Sequence, residues 1–139
     1  FFKIMNENYI QKSSKKFTIL RVAGLLDKSS RKNSIQRIIY NENKKITLSS
    51  NSTLNYILYE DLFNFIKIVI KKKRFGFFNV SVSKNIKLIN LRNYLKSDNI
   101  RFGDYDYITP KIDNTKAKQE YDNLKLTTYQ NIKKYLKNV

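Results

Sequence analysis

Apolar residues recur along this chain with two periods, and the switches between the periods divide it into short helices and strands. Met5, Tyr9 and Ile10 stand at helical spacing ahead of the polar break Ser13-Ser14-Lys15-Lys16, which predicts the end of a helix near residue 14. Residues 17–22 form a run rich in strand formers, and Ala23-Gly24 after it permits a tight turn. A polar, aperiodic loop over 27–33 leads to a short helix over 34–40, where Ile35, Ile38 and Ile39 follow the i, i+3, i+4 rule. Two strands are expected at 45–48 and 54–59, separated by the turn-prone Ser49-Ser50-Asn51-Ser52. The strongest helical pattern, over 60–72, sets Leu62, Phe65, Ile66 and Val69 on one face. Beyond Gly76 the alternation of Phe78, Val80 and Val82 predicts a strand, and a helix follows over 86–95. Arg101-Phe102-Gly103-Asp104 reads as a loop, and Pro110 excludes a central strand around itself. Asn114 or Thr115 is placed to cap a helix over 116–121, and an amphipathic helix over 127–136 closes the chain. This alternation is that of a mixed α/β domain.

Composition changes the picture in three ways. At 139 residues, with 41% hydrophobic and 14% aromatic residues, the chain can bury one core, which excludes disorder throughout. The formal net charge of +17 raises a polyanion partner, and a basic nucleic-acid-binding module is one reading. Lysines are spread along nearly the whole length, however, and only Lys71-Lys72-Lys73-Arg74 is dense, as expected of the solvated C-terminal end of a helix. The absence of Cys and His excludes disulfides, metal thiolates and imidazole catalysis within this sequence and accords with a reducing cytoplasm. The longest apolar stretch, 62–70, is interrupted by Asn64 and Lys67 and is too short to span a bilayer. Phe1-Phe2-Lys3 opens without an apolar signal region, and a chain that begins without Met leads us to expect its true beginning elsewhere.

Four local patterns, in order, resemble the second half of the extended short-chain dehydrogenase/reductases, the family of NAD-dependent epimerases and dehydratases. Lys3-Ile4-Met5-Asn6-Glu7 resembles the segment that begins at the lysine of a Tyr-x-x-x-Lys motif, whose tyrosine would lie four residues before Lys3. The run from Phe17 to Leu26 is similar to the strand and turn written Leu-Arg-Pro-x-x-x-Tyr-Gly, with Val22 in place of the common Pro and Asp27 where Gly is common. Asn55-Tyr56-Ile57-Leu58-Tyr59-Glu60-Asp61, the apolar helix after it and Gly76-Phe77-Phe78-Asn79-Val80 resemble an aromatic strand, a helix-starting Asp and a Gly-x-x-Asn-Val strand. Many family members carry an Arg for the diphosphate seven residues before this Asp, whereas Leu54 stands here. Arg101-Phe102-Gly103-Asp104, then Asp113-Asn114-Thr115-Lys116-Ala117, resemble the Arg-x-Gly-Asp and Asp-x-Ser/Thr-Lys-Ala pair near the family's C-terminus.

The resemblance implies the C-terminal part of a Rossmann-like fold, with its last Rossmann elements about 1–26 and a small mixed substrate-binding subdomain about 27–139, the N-terminal cofactor-binding half being absent. It implies NAD or NADP as cofactor and hydride transfer at a sugar carbon of a nucleotide-linked substrate, the chemistry shared by isomerases and oxidoreductases of the family. Lys3 would be the catalytic lysine, binding the nicotinamide ribose and lowering the tyrosine pKa through its charge. Val22, Ala23 and Gly24 would pass along the cofactor, Gly24 also meeting the sugar, and Arg101 would bind the substrate diphosphate through its guanidinium. Asp61 is expected to have a structural role in the first turn of its helix. The implied partners are the nucleotide-linked sugar, the missing N-terminal half and a second copy of the full-length protein, with no membrane. Gly24, Gly76 and Gly103 are the only glycines and form no Gly-x-Gly-x-x-Gly turn, so these residues by themselves are expected to be inactive. A non-catalytic structural or interaction fragment is a third reading.

Overall fold

One extended run near the start of the chain changes partner midway, and the fold is organised around that change. The computed structural model describes residues 2–29 and 32–137. Strand β1 (Thr18–Val22) lies parallel to β5 (Gly76–Val80), in register from Thr18 opposite Gly76 to Val22 opposite Val80. Strand β2 (Gly24–Leu26) follows after a single residue and lies parallel to β4 (Tyr56–Leu58). The exchange is made by two bonds: Ala23 N donates to Val80 O at 3.0 Å and Gly24 N donates to Asn55 O at 3.0 Å. The tight turn expected at Ala23-Gly24 is therefore a handover between two ladders. Glycine is needed there for close approach, since an added Cβ at Gly24 would lie 2.7 Å from Cε1 and Cζ of Tyr56.

The connection from β4 to β5 is helix α3 (Tyr59–Lys71), and it forms as the apolar periodicity predicts. Phe65 and Val69 are buried on it, and Phe65 meets Phe78 of β5 edge-on at 5.6 Å. With Ile57, Val80, Val82, Ala117 and Leu124 they form one hydrophobic cluster. Ala117 belongs to helix α5 (Thr115–Glu120), and Leu124 to the 3-10 turn Asp122–Lys125. The C-terminal end of α3 carries the basic run 71–74, where Lys72 and Arg74 bracket Glu120 at 3.0 and 2.8 Å. That pairing holds the Glu120 carboxyl below its ordinary range, the hydrogen bond from Lys72 being the main cause.

A second cluster joins helix α2 (Ser34–Ile39) to helix α4 (Leu88–Leu95) and helix α6 (Thr128–Lys137) through Ile35, Ile38, Leu88, Leu91, Ile132 and Tyr135. Helix α2 starts at a capping box: Asn33 Oδ1 accepts from Gln36 N at 3.0 Å, and Gln36 Oε1 accepts from Asn33 N at 3.1 Å. The region expected to begin the helix over 86–95 instead opens with strand β6 (Ile86–Lys87), antiparallel to β3 (Thr53–Leu54). The strand expected at 45–48 is reduced to isolated bridges, Lys45 to Arg101 and Leu48 to Tyr105, because its partner is the irregular loop around Gly103.

Two further elements depart from expectation. Asn114 does not cap α5 through its side chain. It is buried, and its Nδ2 donates to the carbonyls of Ser81 and Leu124 at 2.7 and 3.0 Å, because a buried amide must satisfy its donors first. Helix α1 (Phe2–Ser13) forms as expected but buries no residue, leaving Ile4, Met5 and Tyr9 exposed. Its Glu7 pairs with Arg21 of β1 at 2.6 Å, and the Arg21 guanidinium also lies 4.8 Å over the Phe77 ring.

Candidate functional site

The handover from β1 to β2 leaves backbone at the edge of a cavity of about 900 Å³, and Val22, Ala23 and Gly24 form part of its lining. Tyr56, packed over Gly24, and Leu54 add an aromatic and an apolar surface from the β3–β4 segment. Burial, with a smaller contribution from neighbouring Tyr107, raises the Tyr56 phenol above its ordinary value of 10.0, so it is protonated at neutral pH. Asn55, also in the lining, is fully engaged: its amide nitrogen donates to Val82 O at 3.0 Å and Asn85 Oδ1 at 2.9 Å, and its Oδ1 accepts from Val82 N at 3.1 Å. The site is thus built on strands whose positions are fixed by a buried, satisfied amide.

Cationic groups reach the same cavity from the start of α2. Lys32 and Arg37 line it, and both face Glu42, whose carboxylate lies 2.6 Å from Lys32 Nζ and 3.7 Å from Arg37 Nη1. The Lys32 hydrogen bond, followed by the charges of Lys32, Lys44 and Arg37, outweighs burial and lowers the Glu42 carboxyl from its ordinary 4.5. The patterning of the sequence does not mark Lys32, Arg37, Tyr56 or Tyr107 as site residues. The signal that bears on the first two is Asn33 followed three residues later by Gln36: it fixes the start of α2, and with it Arg37 between the inward Ile35 and Ile38.

The expected site residues separate into two groups. Val22, Ala23 and Gly24 are brought together in the cavity lining. Lys3 is exposed on α1, and Arg101 is exposed in the loop that bridges to Lys45; neither belongs to that lining. Asp61, expected to serve the start of α3, is buried and tied elsewhere: its Oδ1 accepts from Tyr121 Oη at 2.7 Å and from Asn123 Nδ2 at 2.6 Å. Desolvation first and the Asp61 bond second raise the Tyr121 phenol, which keeps it a donor. Asp61 therefore fastens α3 to the 3-10 turn. Among the described residues, no group of acidic side chains could hold a metal ion, and no helix is long and apolar enough to cross a membrane.

The arrangement has the fold of about half of an NAD-dependent nucleotide-sugar epimerase or dehydratase, as comparison with solved structures shows. One is a dTDP-glucose 4,6-dehydratase from Bacillus anthracis in complex with NAD, at a TM-score of 0.71 and 17% identity over 98% of this chain and 49% of that one. Another is a UDP-glucuronic acid 4-epimerase from Bacillus cereus in complex with UDP-glucuronic acid and NAD, at 0.64 and 16% over 93% and 49%. A UDP-N-acetylglucosamine 4-epimerase from Bacillus cereus matches at 0.57 and 19% over 85% and 43%. The chain spans roughly half the length of these structures. No family model matches it, and no curated protein matches it in sequence.

The glycines present form no turn that would open backbone N–H groups to the pyrophosphate of a dinucleotide. Such a group needs glycines whose missing side chains open the backbone to it. Here an added Cβ at Gly24 would meet the Tyr56 ring, at Gly103 the backbone carbonyls of Thr47 and Ile46, and at Gly76 the Lys116 Nζ at 3.1 Å. The Gly24 and Gly103 faces are closed by a ring and by backbone, and the Gly76 face meets only the mobile end of a lysine.

Proposed function

We propose that this chain is the substrate-binding half of an NAD(P)-dependent nucleotide-sugar epimerase, dehydratase or reductase of the extended short-chain dehydrogenase/reductase family, inactive by itself. The observation that carries the reading is the cavity at the β1–β2 handover, which combines strand backbone, aromatic and apolar surface and two cations. Those are the surfaces that a sugar, a base and a diphosphate require. In this reading Gly24 meets the sugar, Arg101 contributes to the diphosphate and Lys3 serves the nicotinamide ribose. Dinucleotide binding, the acid/base tyrosine and the homodimer belong to the longer cytoplasmic protein. The nucleic-acid reading is weakened by the ion pairs that Lys72 and Arg74 make with Glu120.

Thermal-shift and calorimetric titration of the chain with UDP-glucose and dTDP-glucose, against free glucose, tests the proposal. Stabilisation by the nucleotide sugars alone is expected, with no change in NADH absorbance when NAD is added. Equal indifference to all three sugars would refute substrate binding, and NAD-dependent turnover would refute inactivity.

A further inference from the structure

We propose that Thr128 and Asn131 of α6, which lie outside the cavity, are positioning residues for Tyr56: they stand in for a neighbouring strand along the outer edge of β4 and hold the Tyr56 ring over Gly24. The C-terminal helix thereby sets the shape of a cavity that it does not line. The inference rests on the reading above only for the ligand used in its test.

Strand β4 has β2 on one side, with Gly24 opposite Tyr56 and Leu25 opposite Ile57. Successive residues of a strand direct their N–H and C=O groups to opposite edges. Asn55 O faces β2 and accepts from Gly24 N, so the N–H and C=O of Tyr56 face the other edge, where no strand lies among the described residues. Left unpaired away from water, both groups would cost free energy. Two side chains of α6 satisfy them: Thr128 Oγ1 accepts from Tyr56 N at 3.2 Å, and Asn131 Nδ2 donates to Tyr56 O at 3.2 Å.

The spacing of the pair follows from the helix. Thr128, Asn131, Ile132 and Tyr135 stand at i, i+3, i+4 and i+7 and form its buried face. A capping box one residue earlier sets the phase of that face: Thr127 N donates to Gln130 Oε1 at 2.8 Å, and Gln130 N donates to Thr127 Oγ1 at 3.2 Å. Asn131 is an unfavourable residue for packing alone, since its buried Oδ1 has no hydrogen-bond partner among the described residues. A leucine of similar volume would leave no acceptor unpaired. The amide is explained by the donor it supplies to Tyr56.

The ring itself has little else to fix it. Among the described residues the Tyr56 phenol makes no hydrogen bond, so the ring keeps its place over Gly24 through the backbone of β4 and through packing. Tyr56 lines the cavity, whereas no described residue of α6 does. Loosening the Tyr56 backbone from α6 therefore lets the ring turn toward the open side and reshapes the wall.

The test uses the glycines as reporters. Gly24, Gly76 and Gly103 are the only three, and Gly24 is the one packed under the Tyr56 ring. Heteronuclear NMR of Tyr56→Leu marks the Gly24 α-proton shifts without the ring current. Asn131→Leu and Thr128→Val should move those shifts toward the Tyr56→Leu values, Thr128→Ser should keep them at wild type, and Gly76 and Gly103 should stay in place throughout. Calorimetric titration with UDP-glucose should show binding weakened by about fivefold in Asn131→Leu and Thr128→Val, the factor that one ordinary hydrogen bond represents, and restored in Thr128→Ser. If Thr128→Val does not fold, Asn131→Leu carries the same comparison. Gly24 signals unmoved in the α6 variants, or moved together with those of Gly76 and Gly103, overturn the positioning role. Shifted Gly24 signals with unaltered UDP-glucose affinity overturn the link to the cavity. Failure of the wild type to bind UDP-glucose sinks the nucleotide-sugar reading, while the Gly24 signals still decide what α6 does for Tyr56.

Discussion

Replacing Gly24 by alanine tests whether the handover between ladders depends on the ring of Tyr56. The added methyl would stand 2.7 Å from Cε1 and Cζ and 2.9 Å from Cδ1, against the ~3.5–4.0 Å of a relaxed carbon contact, so the ring must retreat by about 1 Å. Overpacking of this kind costs about 1–3 kcal/mol. The ring borders an open cavity into which it can swing, which puts the cost at the low end, about 1 kcal/mol. At this chain length that is a fall in melting temperature of roughly 4 °C. The displaced ring narrows the cavity, so affinity for a nucleotide sugar should fall more than stability does. A double-mutant cycle with Tyr56→Ala isolates the cause: without the ring, Gly24→Ala should cost under about 0.5 kcal/mol. Urea denaturation of the four proteins measures it. A cost for Gly24→Ala that is the same with and without the ring would refute the steric argument.

Gly103 poses the harsher version of the same problem, since an added Cβ meets the backbone carbonyls of Thr47 and Ile46, which cannot swing aside. Gly103→Ala should cost about 3 kcal/mol, at the upper end for overpacking, and denaturation that ranks it no worse than Gly24→Ala contradicts the reasoning. Asp61→Ala removes the acceptor of both Tyr121 and Asn123 and should cost about 1–3 kcal/mol, with Asp61→Asn recovering part because it keeps an oxygen. Identical unfolding curves for the Ala and Asn variants would show that the carboxylate position is not a tie. The lowered Glu120 pKa predicts a contribution to stability that is full above the ordinary glutamate value of 4.5 and is lost as pH falls through the depressed value. Glu120→Gln should therefore flatten the acid limb of the stability curve below that pH, and an unaltered limb would remove Glu120 from the account.

Local pattern carried much of the architecture. Helix α3 forms where Leu62, Phe65, Ile66 and Val69 set the period, and β5 where Phe78 and Val80 alternate, because burial of one face follows directly from spacing. Expectation fails where a distant partner decides. Residues 86–87 become a strand because 53–54 lies beside them, and Asn114, though it holds the N-cap position of α5, turns its side chain to two buried carbonyls instead. The site shows the same division. The backbone at Val22 to Gly24 is legible from its motif, whereas the Arg37–Glu42 contact depends on a helix ending rather than on any periodicity. Arg101 is marked as a diphosphate ligand by the family resemblance, while its place, in a loop bridged to Lys45 and outside the cavity lining, depends on pairing that no local pattern reveals.

Among the described residues strand β1 pairs with β5 alone, and helix α1 beside it holds its apolar residues in solvent. An open strand edge next to uncovered Met5 and Tyr9 is a template on which further chains can stack. The net charge of +17 opposes that by holding molecules apart. Repulsion of this kind reaches only about 8 Å at physiological ionic strength and about 3 Å at 1 M salt. The lysine content thereby acquires a colloidal role: concentrated salt should turn the chain from monodisperse to turbid, with β-rich self-association beginning along β1.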